Sequence, residues 1–105
     1  MSDALDRLFA TIAARKGADP ASSYTAKLLA EGVEKCAKKF GEEATETVIA
    51  AISRDKTELA KESADVLYHL LVLWAAGGIT PDEVYAVLRA REGRSGLEEK
   101  ASRGP

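Results

Sequence analysis

The stretch Glu62-Ser63-Ala64-Asp65-Val66-Leu67-Tyr68-His69-Leu70-Leu71-Val72-Leu73-Trp74 decides the fold. On a helix turning about 100° per residue, with Glu62 at zero, Asp65 falls at about 300° and His69 at about 340°. Nearly every other direction after Glu62 is taken by an aliphatic or aromatic residue, and a helix apolar almost all round is buried almost all round. Glu62 and Asp65 therefore lie on the one polar strip of an interior helix. The apolar run, residues 66–76, is broken by Tyr68 and His69. It falls well short of the roughly 20 residues that cross a bilayer, and no apolar signal region precedes it at the N-terminus.

Punctuation on either side extends the reading. Asp55 or Thr57 caps this helix, which runs to about residue 76 and is stopped by Gly77-Gly78. Thr80-Pro81-Asp82-Glu83 combines an N-cap, a first-turn proline and two acids, and opens a fifth helix to about residue 91. Upstream, residues 33–53 form a third helix whose stripe is Val33, Cys36, Ala37, Phe40, Ala44, Val48 and Ala51. Gly41 interrupts it, which close packing or a ligand would favour. A short helix over residues 24–30 ends at Gly32, a Gly/Pro/Ser loop covers 16–23, and a first helix spans 3–15 with Leu5, Leu8, Phe9 and Ile12 in phase. The expectation is an all-α bundle of about four to five helices in one domain, residues 1–92. The tail, 93–105, has no apolar face and reads as disordered.

Composition narrows the class. A chain of 105 residues that is 46% hydrophobic makes one domain, and one this small leaves roughly a third or more of its unfolded-chain surface exposed, which favours a homodimer or larger assembly. One cysteine excludes an internal disulfide and fits a reducing, cytoplasmic setting. Fifteen Lys and Arg against 17 Asp and Glu give a net charge of −2. That is too balanced for the basic footprint of a nucleic-acid partner, and no membrane partner is expected.

The chemistry lies in the acids. With the third helix's apolar stripe at zero, Lys35, Glu46, Lys39 and Glu43 fall at about 200°, 220°, 240° and 280°, one flank of the helix. Glu43 with Glu46, and Glu62 with Asp65, are i,i+3 pairs that each point one way. The short connection at 54–56 makes the two helices antiparallel, so the pairs can face each other. Four converging carboxylates repel at low dielectric, and a hard divalent cation relieves this; oxygen-only ligation selects Mg²⁺ or Mn²⁺. A di-iron bundle needs two Glu-x-x-His pairs, which one histidine cannot supply. Plainer readings stand beside these. Glu42-Glu43 can be a solvated face, and Lys35, Lys38 and Lys39 can be helix-surface partners, as in the i,i+4 pair Lys38-Glu42, or phosphate contacts. His69 is either a neighbour of the metal site or a satisfied core histidine, and Cys36 is a small core residue.

Glu42-Glu43-Ala44-Thr45-Glu46 followed by Glu62-Ser63-Ala64-Asp65 resembles the Glu-Glu-x-x-Glu and Glu-x-x-Asp signature of the all-α nucleoside triphosphate pyrophosphohydrolases, a superfamily that includes MazG-like enzymes and dimeric dUTPases. Ser23-Tyr24-Thr25-Ala26-Lys27-Leu28-Leu29, Lys38-Lys39-Phe40-Gly41-Glu42-Glu43-Ala44 and the run from Glu62 to Leu73 are similar, more narrowly, to the phosphoribosyl-ATP pyrophosphatase family. The resemblance covers about residues 3–91; Val33 departs from it where many relatives have proline. It implies Mg²⁺ on Glu43, Glu46, Glu62 and Asp65, with Glu42 orienting water. It also implies hydrolysis of phosphoribosyl-ATP to phosphoribosyl-AMP and pyrophosphate in histidine biosynthesis. Lys35 and Lys39, then Lys38 and Lys27, are the candidate phosphate contacts, and Tyr24 and Thr25 help place the substrate. The resemblance further implies a dimer whose subunits complete each other's sites. The competing readings are a house-cleaning hydrolase of ordinary or damaged nucleoside triphosphates and a helical interaction module without chemistry.

Overall fold

Three helices begin where a short polar side chain caps them. Ser23 accepts the Ala26 N–H, Asp55 the Glu58 N–H and Thr80 the Glu83 N–H. Each satisfies an amide that has no partner inside its helix. The computed structural model describes residues 3–93. Among them are five helices, α1 (Asp3–Ala14), α2 (Tyr24–Glu31), α3 (Val33–Ile52), α4 (Lys56–Gly77) and α5 (Pro81–Ala90), and no strand. Gly78 closes α4 at φ 80°, its N–H reaching the carbonyls of Ala75 and Trp74, a conformation that a Cβ would strain. Helix starts fall where the sequence places them, and the ends shift by about one residue, as frayed last turns do. The expected disordered tail lies outside the described residues, apart from Gly93.

α4 is the central element. α3 packs along it most extensively, and α1 and α2 cover further faces. Ile12, Leu28, Cys36, Leu71 and Val72 form the fully buried cluster, with Leu5, Leu8, Phe9 and Trp74 packed around it. Cys36 is the core residue its phase suggests, and its thiol donates to the Leu28 carbonyl at 3.3 Å. The Tyr85 hydroxyl donates to Asp6 Oδ1 at 3.0 Å and ties α5 to α1.

The expected apolar stripe of α3 needs correcting. Cys36 is buried and Phe40 and Ala44 are half-buried, but Val33, Ala37, Val48 and Ala51 are exposed. The face turned to α4 carries Cys36, Glu43, Thr47 and Ala50 instead, because the seam between these helices is partly polar. The outward face exposes Val48 by 56%, Ile49 by 58% and Ile52 by 75%. α4 likewise departs from burial on all sides, since Leu67 is exposed. A Cβ built on Gly41 meets nothing within 4 Å, so close packing within the chain does not explain that glycine. Among the described residues, no single helix is long and apolar enough to cross a membrane.

Leu71 has no solvent exposure at the centre of the cluster. Truncating it should cost about 2–5 kcal/mol through lost transfer energy and the cavity left behind. Urea unfolding of Leu71→Ala should show a lower midpoint at an unchanged denaturant slope.

Candidate metal centre

The turn joining α3 to α4 is short enough to send the second helix straight back along the first. Thr47 sets their register: its hydroxyl lies 2.9 Å from the carbonyl of Glu43 on its own helix and 3.2 Å from that of Glu62 across the seam, donating to both. Glu43 is thereby brought opposite Glu62 and Asp65. One carboxylate oxygen from each of the three lies within 4.8 Å of the others, and all three residues are half-buried. Glu46, expected as a fourth ligand, is exposed and is not one of these three, but its carboxyl acts on both Glu43 and Glu62 by charge and by hydrogen bonding. Beyond it a groove of about 280 Å³ opens between the adjoining ends of α3 and α4, lined by Glu46, Ile49, Ala50, Ser53, Asp55, Glu58 and Glu62.

The electrostatics follow from this crowding. Burial first, then the charges of Glu46, Asp65 and Glu62, push Glu43 up from 4.5 to about 7. Glu62 is raised too, by burial and then by Glu46 and Asp65. Glu62 Oε2 is moreover buried without a hydrogen-bond partner. Three hard oxygen donors crowded together, with the carboxyls of Glu43 and Glu62 raised and one oxygen unpartnered, fit a hard divalent cation, which would satisfy the orphaned oxygen and offset the repulsion.

His69, one turn beyond Asp65, is buried, but it is not the satisfied core histidine of the plainer reading, because its Nδ1 has no hydrogen-bond partner. Its Nε2 lies 4.0 Å from Glu43 Oε1, while Tyr68 and Tyr24 meet its ring edge-on, with centroids at 5.0 and 6.3 Å. Burial lowers its pKa, which favours the neutral imidazole. The hydroxyls of Thr25 and Tyr68 are hydrogen-bonded to each other and join α2 to α4 beside it.

The basic flank is also present. Lys39 Nζ lies 3.4 Å from Glu42 Oε2, and Lys35 Nζ lies 4.0 Å from Glu31 Oε2. Glu42 thus pairs with Lys39, not with Lys38 as the i,i+4 spacing suggests, and is exposed. Lys38 and Lys27 are exposed, and Tyr24 is half-exposed at the first turn of α2. The sequence reading missed Thr47 and Tyr68. Thr47 sits four residues after Glu43, but threonines commonly back-bond in this way and nothing marked it; Tyr68 was read as a break in the apolar run and as part of the family resemblance, without a role at the site.

Glu43 is raised above its unfolded value, so the folded state holds a proton that the unfolded state releases. Its contribution to stability is full below about pH 4.5 and is lost as pH rises through about 7. In chelator, the thermal midpoint of the wild type should fall across that window. Glu43→Gln should flatten the fall, and an unchanged slope in that variant would contradict the assignment.

The family described as phosphoribosyl-ATP pyrophosphohydrolase matches residues 5–92. The chain is 66% identical over 100 residues to phosphoribosyl-ATP pyrophosphatase of Cereibacter sphaeroides, covering 95% of this chain and 97% of that protein. It is 68% identical over 100 residues to the protein of the same name from Parvibaculum lavamentivorans, with 95% and 92% covered. With the Paracoccus denitrificans protein of that name, identity is 63% over 99 residues, with 94% and 92% covered.

Proposed function

Because the chain belongs to the phosphoribosyl-ATP pyrophosphohydrolase family, we propose that it hydrolyses the α,β-phosphoanhydride of phosphoribosyl-ATP. Water adds across that bond to give phosphoribosyl-AMP and pyrophosphate, an early step of L-histidine biosynthesis, carried out in the cytoplasm. The observation that carries the chemistry is the convergence of Glu43, Glu62 and Asp65 at the α3–α4 seam. With Glu46 beside them, these acids would hold Mg²⁺, or Mn²⁺ in its place. Such an ion offsets phosphate charge, aligns the chain of phosphates and acidifies a bound water. Lys39 and Lys35 lie on the same side of α3 and supply cationic contacts to phosphate oxygens, with Lys38 and Lys27 further out. Tyr24 and Thr25, at the first turn of α2, help position the substrate, and Glu42 keeps Lys39 at the rim.

The catalytic unit in this proposal is a homodimer or larger assembly. Val48, Ile49 and Ile52 form an outward apolar face on the helix that carries Glu43 and Glu46, and a second copy would cover it. The double substitution Ile49→Glu with Ile52→Glu should shift the mass in sedimentation equilibrium toward one chain; an unchanged mass would remove this face from the assembly.

The decisive experiment offers phosphoribosyl-ATP, dUTP, dCTP and ATP in parallel with Mg²⁺ and follows pyrophosphate. Phosphoribosyl-ATP should be cleaved with by far the highest kcat/KM, and preference for dUTP or dCTP would favour a house-cleaning hydrolase. Glu62→Gln and Asp65→Asn should each lower kcat by about 100-fold or more, the scale of several kcal/mol lost from metal-assisted stabilisation. Lys39→Ala should act mainly on KM. If both acid variants keep full activity, the seam is not the catalytic centre.

A further inference from the structure

We infer that His69 is a positioning residue for Glu43: its Nε2–H holds one oxygen of the Glu43 carboxylate and so turns the other toward Glu62 and Asp65. The inference deepens the metal-centre reading and rests on it. Among the described residues His69 is the buried side chain of polar character, enclosed between the rings of Tyr24 and Tyr68. An aliphatic or phenyl side chain would fill that space without a polar penalty. The imidazole, by contrast, leaves Nδ1 buried and without a hydrogen-bond partner, so packing alone does not account for it.

The other nitrogen has an addressee. Nε2 stands 4.0 Å from Glu43 Oε1, too far for a hydrogen bond as the side chains lie. A rotation of the flexible Glu43 side chain is enough to close the gap, whereas the imidazole is held by two rings. One nitrogen of a neutral imidazole carries the proton, and Nε2 is the one that lies near the Glu43 carboxylate, whereas Nδ1 has no hydrogen-bond partner. A carboxylate that accepts from a fixed donor on one oxygen loses the freedom to turn away and presents the second oxygen in a defined direction. Groups that hold metal-binding carboxylates in this manner commonly affect affinity by about 10- to 100-fold. Helix geometry favours the role, because His69 continues the polar strip of α4 from Glu62 and Asp65.

His69 is the chain's one histidine, so uniform ¹⁵N labelling of its ring in the untagged protein gives two ring-nitrogen signals that need no assignment by mutation. The wild type should show the Nε2–H tautomer; a proton on Nδ1 overturns the inference, whatever the variants do. Calorimetric titration with Mn²⁺ provides the second arm. Glutamine can place an N–H where Nε2 stands, and methionine has similar bulk without a donor. His69→Gln should bind Mn²⁺ within about threefold of wild type, and His69→Met should bind about 10- to 100-fold more weakly. Wild-type affinity in His69→Met overturns the positioning role, as does equal loss in both variants, which would mark His69 as packing only. Asp65→Asn separates the two levels. If it binds Mn²⁺ like the wild type, the metal-centre reading itself fails, whereas loss in Asp65→Asn alone sinks only the role of His69.

Discussion

Where α3 passes α4, Glu43, Glu62 and Asp65 each put an oxygen within 4.8 Å of the other two, and the helices stay in contact across them. Burial first, and then the like charges around it, hold Glu43 up at about 7, so the seam resists full ionisation without a cation. The chain pins the seam with groups that carry no net charge, the Thr47 hydroxyl bridging two carbonyls and the buried imidazole of His69 beside Glu43. Stability is thus traded for a set of hard donors held ready, a pattern expected of sites rather than of cores.

The remainder of the fold can be understood as support for that seam. Apolar burial is displaced to the other faces of α4, where Leu71 and Val72 meet Ile12 from α1 and Leu28 from α2. α2 serves twice: Leu28 fills the core, and at its first turn Thr25 bonds to Tyr68 and Tyr24 lies against His69. The Ser23 cap that fixes where α2 begins therefore also fixes one wall of the site. A helix of eight residues would be marginal alone, so the side-chain cap and the tertiary bond supply what its length does not.

Much of this was readable from residues whose effect is local. Thr80 caps α5 as expected, and Asp55, in competition with Thr57, caps α4, because capping depends only on a few neighbouring bonds. The i,i+3 spacing of Glu62 and Asp65 and the short turn before α4 were enough to place acids face to face. The stripe on α3 was misread for a different reason. Periodicity tells which residues share a face but not whether anything in the chain covers that face. Thr47 escaped notice because its role exists only once the carbonyl of Glu62 arrives from 15 positions away.

The acid-to-base arrangement also gives the small net charge of −2 a meaning that composition could not supply. Charge is segregated by depth: the carboxylates of the trio are half-buried, while Lys39 and Lys35 sit at the rim in loose contact with Glu42 and Glu31, at 3.4 and 4.0 Å. Exposed pairs of this kind are worth at most about 1 kcal/mol, so they dissolve readily when a stronger anion is offered. A polyphosphate brings several charges at once and can draw these lysines from their carboxylate partners at little cost. The trio behaves in the opposite way, since its carboxylates are held by the helix seam and gain from a cation. In the proposed reaction two kinds of electrostatic group therefore meet at the seam: acids carried on two packed helices that would hold the metal, and loosely paired lysines on α3 that adapt to the phosphates around it.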